Sequence, residues 1–154
     1  MLLDVDGIRV LVRENHRLPF VYVCAALGGG VSSEDADKAG VSKLTADLLL
    51  RGTATRSAGD IAREIDSIGS FLAPYSSYDS FGLKGRCMSQ DADGYLAVFA
   101  DCLLHPSFPA TEVGMKRDIQ LAELDQAREE PFFLAQEGLR QMLFGAHPYG
   151  RHPL

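Results

Sequence analysis

The stretch GVSKLTADLLLRGT, residues 40–53, decides the fold because it holds one helix whose two faces differ in chemistry. Its spacing predicts a helix from about Ala39 to Arg51, and Gly52 is placed to end that helix. On a helical wheel, with about 100° per residue, the two faces separate. The apolar stripe comprises Val41, Leu44 and Leu48, and the opposite face comprises Lys43, Ala46 and Asp47. We therefore expect the apolar stripe to contact the core and the other face to point away from it.

A second helix and two strands follow. Ser57 is placed to cap the second helix, whose apolar residues recur at helical spacing. These residues are Ile61, Ile65 and Ile68. Strands are then predicted over Ser70–Ser76 and Tyr78–Met88, the latter because apolar and charged side chains alternate along it.

Two further strands precede the helix. Residues 8–12 alternate with period two, and Phe20–Leu27 is apolar on both faces, which is typical of a central strand antiparallel to the first. Three glycines, Gly28–Gly30, then end this strand. Because no GK[ST] follows them and the next residues are acidic, we expect a flexible connection rather than a phosphate-binding loop.

Three helices are predicted in the remaining sequence, over Asp91–Leu104, Pro109 to about Glu129, and Pro131–Phe144. One face of the first carries Tyr95, Val98, Phe99 and Cys102, and one face of the last carries Phe132, Ala135, Leu139, Met142 and Leu143. The order ββααββααα indicates an α+β fold in which helices pack on one face of an antiparallel sheet. With 154 residues, of which 46% are hydrophobic, the chain is long enough to bury one core, so we expect a single domain over residues 1–154.

Charge and hydropathy exclude two classes of partner. Lys and Arg total 15 against 21 Asp and Glu, and no basic run is present, which argues against nucleic acid. No stretch approaches the roughly 18 to 20 apolar residues that span a bilayer, so we expect a soluble protein of the cytoplasm or periplasm.

The three cysteines lack metal-ligand spacing, and we expect them to be reduced and buried. They are Cys24, Cys87 and Cys102.

Several segments, in order, resemble the N-terminal part of the insulinase/pitrilysin family, whose members include zinc endopeptidases and mitochondrial processing peptidase subunits. GVSKLTADLLLRGT is similar to the family's metal-binding helix, and residues 57–80 resemble the helix, edge strand and turn that follow it. LLHPSFPATEV, QLAELDQAREEP and HPYGR resemble later family segments. The resemblance implies that the chain holds most of the N-terminal half of a longer protein, whose second half is absent.

The resemblance also locates a zinc site that this chain does not reproduce. Active members carry H-x-x-E-H on the first helix, in which two histidines hold zinc and the glutamate takes a proton from its water. Aligned on the flanking glycines, these positions are Lys43, Ala46 and Asp47. Glu123 lies where the family has its third ligand, either as a vestigial ligand or as an ordinary polar residue. A protonated lysine brings positive charge and no lone pair, so we expect no zinc, no other cofactor and no catalytic residue here.

In place of the metal we expect an ion-pair cluster of Lys43, Asp47 and Glu123. The first two lie one helical turn apart. The alternative is three solvated side chains with no mutual contact. The four histidines, at positions 16, 105, 147 and 152, lack ligand spacing and do not suggest a second metal site.

The strand resembling GSFLAPYSS, residues 69–77, is in the family an edge to which extended peptide adds through backbone hydrogen bonds. The candidate peptide-facing residues are Ser70, Phe71, Leu72, Ala73 and Tyr75. Ala73 stands where active members usually have Asn, and Pro74 lacks an N–H donor. Proline on an edge strand also blocks unwanted pairing, so protection against aggregation is the alternative explanation.

The preferred hypothesis for function is a non-catalytic family subunit or domain. It would complete the peptide-holding chamber of a zinc-bearing family partner, or stabilise that partner, in a hetero-oligomer. The alternatives are an active zinc metalloendopeptidase with unrecognised ligands, and a peptide-binding or assembly module without a peptidase partner. Self-association is also expected, through surface that the absent second half would cover.

Overall fold

The computed structural model describes residues 1–152, which contain five strands and five α-helices. The strands are β1 (Leu2–Val5), β2 (Ile8–Leu11), β3 (Phe20–Gly28), β4 (Phe71–Ser76) and β5 (Ser80–Met88). The helices are α1 (Val41–Leu48), α2 (Ala58–Ser67), α3 (Ala92–Leu104), α4 (Ala110–Arg128) and α5 (Pro131–Phe144). The α+β class is confirmed, with one more strand at the start of the chain than the predicted order contains.

The sheet is antiparallel and three-stranded, in the order β3, β5, β4. The prediction that β3 is a central strand paired with the preceding strand is wrong, since β5 is central and β3 lies at one edge. The preceding strand, β2, pairs instead with β1 in a separate hairpin. Asp6 and Gly7, both with positive φ, form its two-residue turn, a geometry that matches the twist of the flanking strands. This local pairing leaves β3 free of β2.

The core lies between the sheet and helices α2 and α3. Its buried members are Leu49, Ile61, Ile65, Leu83, Cys87, Tyr95, Val98, Phe99 and Cys102. The predicted apolar stripes of α2 and α3 are therefore confirmed, with Ile68 packed at the margin of the core. Ser57 caps α2 as expected, because its hydroxyl accepts from Asp60 N and Asp60 in turn accepts from Ser57 N.

Tyr95 joins α3 to the sheet through its hydroxyl group. Its hydroxyl donates to the carbonyl of Phe71 at 2.8 Å. A Cβ at Gly85 would lie 2.0 Å from that hydroxyl oxygen and 2.2 Å from the Phe71 carbonyl oxygen. Only glycine therefore fits at this position of the central strand.

Helix α1 differs from its prediction in length and in the face it buries. It ends at Leu48 rather than near Arg51, and Gly52 forms a β-bridge with Ser57 instead of capping the helix. Ala46, assigned to the outward face, is only 1% exposed, whereas Val41, assigned to the core stripe, is 44% exposed. The reason is that α1 contacts β4, β5 and helix α4, so it has no single buried stripe.

One burial prediction fails, that of Cys24, and one predicted apolar helix face lies in solvent. The apolar face of α5 is exposed, and Met142 has 87% of its surface accessible. Cys24 is exposed on β3, while Cys87 and Cys102 are buried as expected, and all three are free thiols. A strand at a sheet edge with one uncovered face leaves alternate side chains in solvent, which explains Cys24.

The glycine-rich connection after β3 is held in place rather than flexible. Gly29 N donates to Asp79 O at 3.2 Å and Ser32 N donates to Tyr78 O at 2.8 Å, so the connection is bonded to the turn between β4 and β5. Gly30 has φ 89°, and a Cβ there would lie 2.4 Å from Ser77 O. Close approach to this turn therefore requires the glycine.

Candidate functional site

The resemblance places the family's zinc site at Lys43, Ala46, Asp47 and Glu123, which are called here the former metal site. Helices α1 and α4 bring three of these four residues together. Lys43 Nζ lies 3.3 Å from Asp47 Oδ2 and 3.1 Å from Glu123 Oε2. The exposed fractions of the three side chains are 21%, 25% and 47% respectively. The expected ion pairs are present, and the alternative of three side chains without contact is wrong. The fourth residue, Ala46, lies buried and is not part of the cluster.

The cluster keeps the lysine protonated. Burial alone would lower the pKa of Lys43, but the hydrogen bond that Lys43 donates to Glu123 and the charge of Asp47 outweigh it and raise the pKa above its usual value. An ammonium group therefore lies between the two carboxylates across the physiological pH range. Two of its N–H groups donate to Asp47 Oδ2 and Glu123 Oε2, oxygen atoms that a cation would otherwise use.

Two contacts fix α1 relative to α4 and to the preceding loop. Gln120 Nε2 donates to the carbonyl of Gly40 at 3.0 Å, just before α1 begins. The carboxylate of Glu34, 8% exposed, accepts from Gly40 N at 2.9 Å and from Ser42 N at 2.8 Å. Sequence reasoning missed Glu34, because a cap supplied from six residues away has no local spacing signal.

A second polar group joins the segment after α1 to α3. The carboxylate of Asp101 accepts from Thr53 Oγ1 at 2.7 Å and from Arg56 Nη1 at 2.7 Å. Thr55 Oγ1 also donates to it, at 3.1 Å. These donors, Thr53 first, lower the pKa of Asp101 to about 2. Asp101 therefore anchors the α1–α2 connection as an acceptor that stays charged at neutral pH.

The candidate peptide strand lies at the sheet edge opposite β3. Ala73 is paired with Lys84 and Pro74 with Leu83 of β5. Phe71, Leu72, Ala73 and Tyr75 all belong to β4, whereas Ser70 lies in the preceding turn, where its N–H donates to Ile65 O at 3.1 Å. Helix α1 contacts β4, so the ion-pair cluster and this edge belong to neighbouring elements. Peptide binding at β4 stays a prediction.

The histidines are dispersed over the molecule. His105 Nδ1 lies 3.2 Å from Asp101 Oδ1, and His147 accepts from Tyr149 N at 3.2 Å. No group of three or more His, Cys, Asp or Glu side chains within residues 1–152 is arranged to hold a metal ion. In the same span, no helix is long and apolar enough to cross a membrane.

Comparison with known proteins gives one consistent family. The model of the insulinase family, peptidase family M16, matches residues 9–154. An uncharacterized zinc protease of Bacillus subtilis is 23% identical over 94% of this chain and 36% of its own length. An uncharacterized zinc protease of Mycobacterium leprae is 28% identical over 94% of this chain and 33% of its own length. The chain thus spans about a third of the length of these relatives.

Two solved structures share the fold of this chain. The crystal structure of a peptidase M16 inactive domain from Pseudomonas fluorescens has a TM-score of 0.89 and 27% identity, covering 99% of this chain and 38% of that one. A protease from Helicobacter pylori has a TM-score of 0.91 and 17% identity over 99% of this chain and 38% of its own, which shows the shared fold.

Proposed function

The chain belongs to the insulinase family, peptidase family M16, and from that premise we propose that it is a non-catalytic member. The observation that carries the proposal is the Lys43 ammonium held between Asp47 and Glu123. We further propose that residues 1–154 form one domain, equivalent to most of the N-terminal half of a longer family protein. The inactive-domain structure from Pseudomonas fluorescens supports this assignment.

The residues at the former metal site do not fit zinc. Relatives are named zinc proteases, so zinc occurs in the family. A catalytic zinc takes three protein ligands with available lone pairs and leaves one position for water. Here Lys43 offers no lone pair while it is protonated, and its pKa is raised further by its two carboxylate partners. Ala46 supplies no group that could accept a proton from water.

A partner is the second element of the proposal. We infer that this chain completes the peptide-holding chamber of a zinc-bearing family member, or stabilises that member, in a hetero-oligomer. The exposed apolar face of α5 supports it, because surfaces of that kind commonly mark contact with another protein. A probable mitochondrial-processing peptidase subunit beta of Arabidopsis thaliana, 23% identical over 95% of this chain, bears the name of a subunit.

We propose that an extended peptide binds only weakly at β4. An added strand pairs through alternating backbone donors and acceptors, and Pro74 removes one donor from the middle of the edge. The side chain of Phe71, which is 50% exposed, would remain available for contact. The role of this edge would then be to hold substrate loosely for a catalytic partner.

Metal analysis of the purified protein tests the proposal directly. After dialysis against buffer with zinc and then without it, we expect far less than one zinc per chain, and no change on Glu123→Ala. Stoichiometric zinc that Glu123→Ala or Asp47→Ala removes would overturn the proposal. Chelator-sensitive cleavage of a mixed peptide library by this chain alone would instead support the active-peptidase alternative.

Copurification distinguishes the remaining alternative. The tagged chain, expressed with a family member that carries H-x-x-E-H, is expected to recover that member in fixed ratio. A charge substitution on the exposed face of α5, Met142→Glu, should reduce recovery, and Arg117→Glu on α4 is the matched surface control. No recovery of that member would favour an assembly module without a peptidase partner, whereas recovery that Met142→Glu leaves unchanged would place the contact on a surface other than α5.

A further inference from the structure

The turn that follows α5 is bonded to the loop that precedes α1. The guanidinium of Arg151 donates through Nη2 to Glu34 O at 2.8 Å and to Val31 O at 3.2 Å, and through Nη1 to Asp35 O at 3.4 Å. These three carbonyls belong to one short loop, residues 31–35. A planar fork of donors suits this set, whereas a single ammonium could not reach all three with the same geometry.

The same loop holds the cap of α1. Two of the N–H groups at the start of the helix, those of Gly40 and Ser42, donate to the side chain of Glu34. The first N–H groups of a helix have no partner within it, and a carboxylate placed there is favoured by the helix dipole. The backbone of Glu34 is therefore held by Arg151, while its side chain holds α1.

A third segment meets at Arg151. Tyr78, in the turn between β4 and β5, donates through its hydroxyl to the carbonyl of Arg151 at 3.2 Å. Its neighbour Asp79 accepts from the Tyr149 hydroxyl at 2.6 Å, and the rings of Tyr78 and Tyr149 lie 4.8 Å apart. The turn after α5 is thus attached to the sheet independently of the bonds that Arg151 makes to the loop.

We propose that Arg151 is a positioning residue for helix α1, acting through loop 31–35 and the carboxylate of Glu34. Lys43 and Asp47 lie in the first two turns of α1, so the position of the cap sets the position of the ion-pair cluster. A change at the turn after α5 is thereby transmitted to the former metal site. The inference does not depend on the proposed function, because it concerns where α1 lies and not what its side chains bind.

Amide hydrogen exchange followed by NMR tests the relay on the protein as it is. For Arg151→Gln we expect the amides of Gly40 and Ser42 to exchange about tenfold faster, since bonds to a charged group limit their local opening. The amides of Leu83 and Cys87 in β5 should keep their rates. A merely structural loss of stability would instead accelerate the β5 amides by the same factor.

Two further variants separate the relay from general loosening of the turn. Tyr149→Phe removes the bond to Asp79 from the same turn but leaves Arg151 intact, and it should not change the α1 amides. Arg151→Lys, which keeps the charge and most of the stem, should show the same local pattern as Arg151→Gln with a smaller amplitude, and it serves if the glutamine variant fails to fold.

The path through Glu34 is tested by combining substitutions. Glu34→Gln alone should accelerate exchange at Gly40 and Ser42, and adding Arg151→Gln should produce little further change. Fully additive effects would show that Arg151 acts on α1 by another route. Unchanged exchange at both amides in Arg151→Gln, or equal acceleration of the β5 amides, would overturn the proposal.

Discussion

Replacing Lys43 with methionine should destabilise the protein by about 1 to 2 kcal/mol, an amount between that of surface ion pairs and that of buried ones. Methionine keeps the length of the stem and removes the ammonium, which leaves Asp47 and Glu123 facing each other. The two ion pairs, at 3.3 and 3.1 Å, each supply gross attraction of roughly 5 kcal/mol at an effective dielectric constant of about 20. Desolvation of the lysine and the exposure of Glu123 offset most of it.

The measurement is urea denaturation monitored by circular dichroism, with the free energy of unfolding taken from curves of equal slope. Lys38→Met is the matched control, because Lys38 also pairs with an acid, Asp35, but its side chain is 64% exposed. We expect the control to stay within about 0.5 kcal/mol of the parent, as substitutions of exposed residues usually do.

The pH dependence adds a second check with a defined sign. The pKa of Lys43 is raised in the folded protein above its usual 10.5, so the folded state binds the proton more tightly than the unfolded state. The stabilisation that protonated Lys43 supplies is therefore complete below pH 10.5, and it is lost as pH rises through the pKa of Lys43 in the folded protein. The difference between the parent and Lys43→Met should be constant near neutral pH and shrink in strong alkali. A Lys43→Met variant no less stable than Lys38→Met would refute the view that the cluster joins α1 to α4.

Three other outcomes follow from the same geometry. Tyr95→Phe removes one buried hydrogen bond to the backbone of β4 and should cost about 0.5 to 1.5 kcal/mol in the same urea assay, with the slope unchanged. Asp101 has its pKa lowered to about 2 in the folded state, so its contribution is present above pH 3.8 and is lost as pH falls toward 2; Asp101→Asn should therefore unfold with less dependence on acid in that range. The double variant Lys43→His with Asp47→His should bind zinc together with Glu123, detected by calorimetry, and Glu123→Ala should abolish that binding.

The parts of the fold that sequence predicts correctly are those determined locally. The stripes of α2 and α3 follow from helical spacing because each helix presents one face to the core. The pair of Lys43 and Asp47 follows from their separation by one helical turn. The β1–β2 hairpin also had a local signal, since Asp6-Gly7 favours a two-residue turn, and overlooking it led to the wrong partner for β2.

The parts that sequence does not predict depend on contacts between distant segments. Glu34 caps α1 from outside the helix, and Arg151 reaches the same loop from 117 positions further along the chain. No periodicity records either contact. The edge position of β3 is of the same kind, because the side chains of a strand indicate what covers its two faces and not which strands pair with its backbone on either side.

Ala46 shows why the loss of the zinc motif involves more than the loss of ligands. A helical wheel places this residue outside, and restoring a glutamate there, along with the two histidines, would then leave the fold intact. In the structure Ala46 is 1% exposed, so Ala46→Glu must bury a carboxylate or force α1 away from its neighbours. Burial of an unpaired polar or charged group costs about 2 kcal/mol or more.

We therefore expect Ala46→Glu to destabilise the protein by at least about that amount in urea denaturation, and Ala46→Ser, which adds a single oxygen, to destabilise it by less. A glutamate variant as stable as the parent would show that α1 can shift without cost and that the site remains open to metal chemistry. The expected loss would mean that the packing around α1 has closed over position 46, so that a glutamate fits there only with further changes in β4, β5 or α4.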